Sequence, residues 1–440
     1  MRTINLMPFS VLVFFSVSSF MAQGLLGQEK ENSATDWASW RGSKDTGSLA
    51  GEGFPVELNP EQNLAWKVEL PGKGCSTPIV VDDSIFVTAP ADGKDALVCL
   101  DRNGEQKWLT KFDKQNPGKH RNGSGSNASP ISDGDAVFVY YKSGTLAAVE
   151  SDGNIRWQKN LIERFGKVEL YWDHGTSPVL TQDYVVMARM HSGDSWVAAF
   201  DKKSGKLVWK VDRNFKTPRE GDHGYATPVV IEFQEKPALL VYGAEHLTIH
   251  AIEDGKMVWS CGGFNPEKVD LWPTIATPVV VGDVAVVAAG RNDRKLPLLY
   301  GVKLSGSGDV SETNVIWKRD DIGTFVPSPA VWKDQVYLMR DLGEVECLNP
   351  VDGTSVWREK FKKHRSKYYS SPLIAGGLMY VAREDGAAFV VDVRDGQYKL
   401  LAESDFKESV IGSAVPLGKQ ILWRGEKHLF CFGKSEQSNE

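Results

Sequence analysis

A small hydroxylated residue followed by proline recurs at Thr77-Pro78, Ser129-Pro130, Ser177-Pro178, Thr227-Pro228, Thr277-Pro278, Ser328-Pro329 and Ser371-Pro372, with successive prolines 52, 48, 50, 50, 51 and 43 residues apart. Each proline opens an apolar run interrupted by a short polar turn, as in IVVDDSIFV (79–87), VVVGDVAVV (279–287) and AVWKDQVYL (330–338). Such β-branched runs, bounded by turn residues, predict paired strands. Downstream in each unit a glycine precedes a tryptophan by four residues, at Gly104/Trp108, Gly153/Trp157, Gly205/Trp209, Gly255/Trp259 and Gly353/Trp357. Gly396/Leu400 keeps the spacing without the indole, and the unit ending in Trp317 carries the insertion GSGDVSETN. The glycine suits a positive-φ hairpin position. Trp66, Trp108, Trp157, Trp209, Trp259, Trp317 and Trp357 are expected to be packing wedges between neighbouring units, because a functional aromatic box does not recur once per repeat around a molecule.

Four short strands per unit without helical periodicity predict an all-β fold, an eight-bladed β-propeller of four-stranded antiparallel blades. Seven units are complete. The eighth, GSAVPLGKQILWRGEKHLFCFG (412–433), supplies three strands, and LAWKVEL (64–70) is expected to pair with the strand around 430–432 and close the ring. Seven blades is the alternative. The expected organisation is a signal peptide over 1–24, an N-terminal extension over 25–62, the propeller over 63–434 and a disordered tail over 435–440.

The first of these segments rests on Arg2, an apolar run over 9–21 and small residues at Ala22 and Gly24. That order is the order of a secretory signal cleaved near Gly24, and the run is shorter than the roughly 20 residues that span a bilayer; a retained membrane anchor is the alternative. The chain is therefore expected to be exported, periplasmic or extracellular, with no transmembrane helix after cleavage. No cysteine precedes Cys75, so it is not expected to be a lipoprotein. Five cysteines, an odd number, leave at least one unpaired, and Cys99, Cys347 and Cys431 sit in the related strings VCLD, ECLN and FCFG, which predicts one strand position in different repeats. There is no CxxC, CxxCH or adjacent cysteine pair.

Composition narrows the function classes. With 51 Lys+Arg against 57 Asp+Glu the chain lacks the basic field of a general nucleic-acid or anionic-membrane binder. With 41% hydrophobic residues and 14 tryptophans it is not a disordered chain.

The Ser/Thr-Pro openings, together with LVCLDRNGEQKW (97–108) and WVAAFDKKSGKLVW (196–209), resemble the pyrroloquinoline-quinone (PQQ)-type propeller repeat over residues 37–434. The string DWASWRG (36–42) is similar to the start of exported members of that group. The resemblance implies one of two functional classes. One is the quinoprotein alcohol and glucose dehydrogenases, which hold calcium with Glu, Asn and Asp beside a catalytic Asp and often carry an adjacent-cysteine disulfide. The other is non-catalytic propellers, including the scaffold lipoprotein of the outer-membrane β-barrel assembly machinery. No adjacent cysteines occur here and no Glu/Asn/Asp calcium set maps onto the chain. The reading is therefore an exported, non-catalytic scaffold binding a protein or envelope component, with no catalytic residue, metal or cofactor. The alternative is a quinoprotein-like oxidoreductase or small-ligand binder using PQQ and calcium.

The segments joining one blade to the next are where repetition stops: HRNGSGSNAS (120–129), LYWDHGTS (170–177), EGDHGYAT (220–227), LWPTIAT (271–277), GTFVPS (323–328) and SKYYSS (366–371). They are expected to gather Tyr171, Trp172, Asp173, His174, Asp222, His223, Tyr225, Trp272, Phe325, Tyr368 and Tyr369 around one funnel, where aromatics with a few polar groups suit a ligand pocket or an interface. The echo Asp173-His174-Gly175 and Asp222-His223-Gly224 could bind a metal or transfer protons, but its spacing is no recognised ligand set, and turn capping is the favoured role. Two connections are basic, with Lys111, Lys114, Lys119, His120 and Arg121 in one and Lys360, Lys362, Lys363, His364, Arg365 and Lys367 in the other. They could attract an acidic partner or polysaccharide, although solvated loop charge is the ordinary meaning. The expected partner is an envelope or secreted protein, not nucleic acid; the sequence sets no oligomeric state.

Overall fold

The computed structural model describes Met1 and residues 37–291 and 296–434. The chain divides into two units, Met1–Glu31 and Asn32–Glu440, and every element described belongs to the second. Apart from Met1, the predicted export signal lies outside the described residues, as do residues 25–36 and the 435–440 tail.

Ile79–Val81, Ser84–Ala91, Lys94–Leu100 and Gln106–Lys114 form the first of eight four-stranded antiparallel meanders found among the described residues, two of which carry one added parallel strand. They are blades 1 to 8, their inner strands beginning at residues 79, 131, 179, 229, 279, 330, 373 and 415. Blade 8 takes its outer strand from the other end of the chain. Leu64–Glu69 pairs antiparallel with His428–Phe432, setting Trp66 opposite Cys431 and Glu69 opposite His428. Central strands are buried on both faces, whereas Leu64–Glu69 alternates half-buried and exposed residues. That difference explains the continuous apolar runs at the centre and the mixed runs at the rim.

The hydroxyl-proline openings have one physical cause. Each Ser or Thr stands at the channel, and its N–H donates to the side-chain hydroxyl of the next blade's residue at 2.9 to 3.1 Å, from Thr77 to Ser129 round to Ser413 to Thr77. The following proline has no N–H to satisfy. Blade 8 keeps the hydroxyl at Ser413 although Ala414 replaces proline, so the belt closes over all eight blades.

At the rim each indole bridges to the next blade. The Nε1 atoms of Trp66, Trp108, Trp157, Trp209, Trp259 and Trp317 donate to the carbonyls of Arg102, Ser151, Lys202, Ile252, Ser305 and Pro350 at 2.8 to 3.0 Å. The repeat glycine lies on the preceding blade's indole: at Gly205, φ 65°, a Cβ would stand 2.5 Å from Trp157. Blades 6 and 7 meet differently. A Cβ on Gly396 would meet nothing within 4 Å, and Trp357 instead tilts against Tyr398 at 5.6 Å. The insertion GSGDVSETN is also accounted for, since Gly308–Asp309 pairs parallel with the outer strand of blade 4.

All five cysteines are free. Cys99, Cys347 and Cys431 hold one strand position, each cross-strand from a rim tryptophan, Trp108, Trp357 and Trp66 respectively. Burial pushes the Cys99 and Cys347 thiols up to about 11 and Cys431 to about 12, which makes them packing groups and not nucleophiles.

Candidate functional site

Residues 37–49 cross the channel below the hydroxyl belt. Trp37 exchanges backbone hydrogen bonds with Val80 of blade 1, and the Ala38 carbonyl accepts from Ser132 of blade 2. On the far side Thr46 and Gly47 carbonyls accept from Val331 and Ile374, and Ser48–Leu49 adds a parallel strand to blade 7. Between these moorings Arg41 is buried, with Nη1 donating to the Pro372 carbonyl at 2.9 Å and Nη2 to Pro329 at 2.7 Å. A planar fork suits two carbonyls on adjacent blades. Trp40, beside it, is the base of a cavity of about 550 Å³ whose walls carry seven of the eight belt hydroxyls, Thr277 being the exception. Sequence reasoning noticed DWASWRG only as an opening string. The available signal was an aromatic-basic run lying outside the repeat.

The mouth is tied across by buried carboxylates. Asp173 accepts the Lys119 and His120 N–H groups at 2.8 and 2.9 Å and pairs with Lys142 at 2.6 Å. Glu384 of blade 7 accepts from Arg121 at 3.0 Å, from Asn122 Nδ2 at 2.7 Å and from the Lys367 N–H at 3.0 Å. Asp341 accepts the Phe325 and Val326 N–H groups at 3.0 and 3.1 Å. The connection 115–127 is thereby strapped from blade 2 to blade 7. Glu384, Asp341 and Asn122 carry no repeat signature and were missed.

The predicted site residues separate into three groups. Trp172, Asp173, Tyr225, Phe325 and Tyr369 line the cavity, with Arg291 over the Phe325 ring at 5.1 Å. Tyr171 and Trp172 form a ledge at its edge, exposed by 56% and 42%, with their rings 4.7 Å apart in a T-shape. Trp172 is also met edge-on by His120 at 5.0 Å. His174, Trp272 and Tyr368 turn away from the funnel. His174 Nε2 donates to the Thr176 carbonyl at 3.1 Å and its ring packs on Tyr140. Trp272 Nε1 donates to Phe264, and Tyr368 stacks on Phe361. Both are buried in blade cores.

His223 and Ser192 line a second pocket beside the ledge, and Asp222 meets Ser192 there, a grouping that superficially has the makings of a nucleophile. The hydrogen bonds run the wrong way. His223 Nδ1 accepts the Tyr171 N–H at 3.4 Å, so the neutral ring carries its proton on Nε2 and donates it to Ser192 Oγ at 2.8 Å. Ser192 in turn donates to Asp222 at 3.2 Å. A base must accept from the serine, and its orienting carboxylate must face the other ring nitrogen. Burial holds His223 below the ordinary histidine range, which keeps this neutral arrangement. The Asp-His echo is thus two unlike hydrogen-bonding devices, and it makes no joint metal site.

A quinone with calcium needs several carboxylate or amide oxygens converging beside an aromatic face. Trp40 offers a face, but Asp173, Asp341 and Glu384 spend their oxygens on N–H donors and cations. Among the described residues no group of three or more His, Cys, Asp or Glu is placed to hold a metal ion. The residues do not fit that pair of cofactors.

A family model described as "Outer membrane protein assembly factor BamB" matches residues 51–194, 174–359 and 314–403. A protein of that name from Burkholderia pseudomallei is 23% identical over 369 residues, 76% of this chain and 89% of its own length. One from Moranella endobia is 30% identical over 150 residues, 33% of this chain, and that match spans only 36% of the relative. Among solved structures, BamB from Moraxella catarrhalis superposes with a TM-score of 0.59 at 15% identity, covering 86% of this chain and 99% of that one. A europium-containing methanol dehydrogenase gives 0.64 at 11% identity, covering 92% and 99%. At these identities the structural likeness is one of fold. None of these likenesses supports the expectation that the chain lacks a lipid anchor. The family match spans most of the propeller and agrees with the strand-by-strand architecture, so the chain belongs to the PQQ-like β-propeller family described as outer membrane protein assembly factor BamB.

Proposed function

We propose that this chain is an exported, non-catalytic scaffold of outer-membrane protein assembly that holds a polypeptide partner at the mouth of its funnel. The observation that carries the reading is the ledge of Tyr171 and Trp172, two large exposed aromatics beside a cavity whose carboxylates are all engaged in internal ties. Exposed Tyr and Trp next to a rigid pocket are the residue types that dominate protein-binding hot spots. The family supports the assembly role, and the hydrogen bonding of His223 argues against nucleophilic chemistry at the Ser192-His223-Asp222 grouping beside the funnel. Among the described residues no helix is long and apolar enough to cross a membrane.

The test is photocrosslinking in cells with a photoreactive residue at position 172 or, as control, at Val208 on the outer strand of blade 3. An adduct with an envelope protein from position 172, absent from 208 and lost when Tyr171 is also changed to Ala, is expected. No adduct, or the same adduct from both positions, overturns the reading.

A further inference from the structure

The mouth is chemically uneven. On the connection between blades 6 and 7, Lys362, Lys363, His364 and Arg365 are all exposed. Among the described residues the ion pairs along this stretch are those of Lys360 with Glu344 and His364 with Asp385, which leaves Lys362, Lys363 and Arg365 as solvent-facing cations. Lys367, on the same connection, reaches the cavity wall. Arg121 lies next to it across Glu384, and although one nitrogen touches that carboxylate, its side chain is 72% exposed. The carboxylates beside this connection are already engaged: the Glu384 side chain is only 9% exposed, and Asp385 pairs with Arg383 at 2.8 Å and His364 at 3.4 Å. A net charge of −6 for the whole chain makes this local excess of cations a property of the sector and not of the protein.

Inside the rim the chemistry changes. Trp40, Phe325, Tyr369 and Ile411 line the cavity. Each belt hydroxyl accepts one backbone N–H and retains its own proton for another acceptor. The cavity therefore offers apolar surface, O–H donors and a cationic edge.

We propose that the funnel binds an acidic peptide segment bearing one bulky apolar side chain. The side chain enters the cavity over Trp40, the hydroxyl belt donates to the segment's carbonyls, and carboxylates on either side meet Lys362, Lys363, Arg365, Lys367 and Arg121. The cavity distinguishes this ligand from a bare polyanion: a nucleic acid or sulfated polysaccharide would use the rim cations and leave about 550 Å³ of aromatic-lined space unfilled. The inference deepens the polypeptide-scaffold reading and rests on it.

The experiment is calorimetric titration of the full chain with three acetylated, amidated peptides, DEDFDED, DEDADED and SGSFSGS. One-to-one binding of DEDFDED is expected, weakened roughly tenfold or more by removing the Phe, by the neutral flanks, and by the triple variant K362Q/K363Q/R365Q, each a loss of charge pairing or apolar burial. Raising the salt to about 0.5 M should weaken the acidic peptides and spare SGSFSGS. No heat with DEDFDED, equal binding of DEDADED, or an unchanged triple variant overturns the proposal; so does heparin binding through the same lysines without peptide binding. The position-172 crosslink is indifferent to partner charge, so its outcome separates failure of this proposal from failure of the scaffold reading.

Discussion

Gly205 and Trp157 state the construction rule of this molecule in two residues. The glycine is constrained twice, by a left-handed backbone and by an indole lying where a Cβ would be. Gly93 has the same kind of backbone, φ 73°, with nothing within 4 Å of its absent Cβ. Gly93→Ala is therefore expected to cost about 1 kcal/mol of backbone strain, and Gly205→Ala about 3 kcal/mol because the blade seam must also open. Equilibrium denaturation of the two variants checks this, and equal losses would show that the indole yields freely. His174 gives a second prediction at this scale. Its burial lowers its pKa from 6.5 to about 4, and a nearby Arg189 charge acts the same way. A depressed folded pKa means stability is fully present above the unfolded value and is lost as pH falls through the window from 6.5 to about 4. The loss attributable to His174 is on the order of 3 kcal/mol. Denaturant midpoints measured from pH 7.5 to 4.5 should fall less steeply in His174→Gln, whose amide can still donate to Thr176 without titrating.

At the scale of elements, the hydroxyl belt makes the inner strands interdependent. Ser177→Ala removes the acceptor of the Ser129 N–H, and a buried unsatisfied donor costs about 1–3 kcal/mol, whereas Ser177→Thr should be close to neutral because Thr fills that place in blades 1, 4 and 5. Melting temperatures of the two variants decide it, and a large loss for Thr would mean that shape and not the hydroxyl matters. Arg41→Leu should likewise destabilise, by about 2–3 kcal/mol, since two buried carbonyls lose a charged donor. The blades, the closing strand and the common position of Cys99, Cys347 and Cys431 were legible because a repeat states the same packing problem many times over. The mouth was legible only in part, because its connections do not repeat. Trp272 and Tyr368 were expected at the funnel from their place in the chain. Each sits within reach of a blade core and buries its ring there, as aromatic area favours. Trp172 and Tyr369, on similar connections, do line the funnel. The crossing segment 37–49 was illegible as a floor because its partners, Pro329 and Pro372, are remote in sequence and bind through main-chain carbonyls that leave no residue signature.

Blade 8 is completed by one distant pairing. Without Leu64–Glu69 the strand His428–Phe432 would present an open, apolar edge, so a chain in which residues 64–69 are replaced by a Gly/Ser stretch of equal length should associate irreversibly, a result that light scattering would detect. An intact monomer of that variant would mean the ring tolerates an open blade. Closure also makes the funnel a rigid frame, whose cross-ties through Glu384 and Asp173 hold loops from several blades in one place and leave Tyr171 and Trp172 outward. The central claim is that this ledge serves outer-membrane protein assembly. The direct measurement is the fraction of folded outer-membrane β-barrel protein, read by heat-modifiable electrophoretic mobility, in cells lacking the chain and complemented with defined variants. The account predicts that the wild-type chain and Val208→Ala restore the folded fraction, while Tyr171→Ala/Trp172→Ala, produced at the same level, does not. Full restoration by the ledge variant, or no assembly defect when the chain is missing, would contradict it.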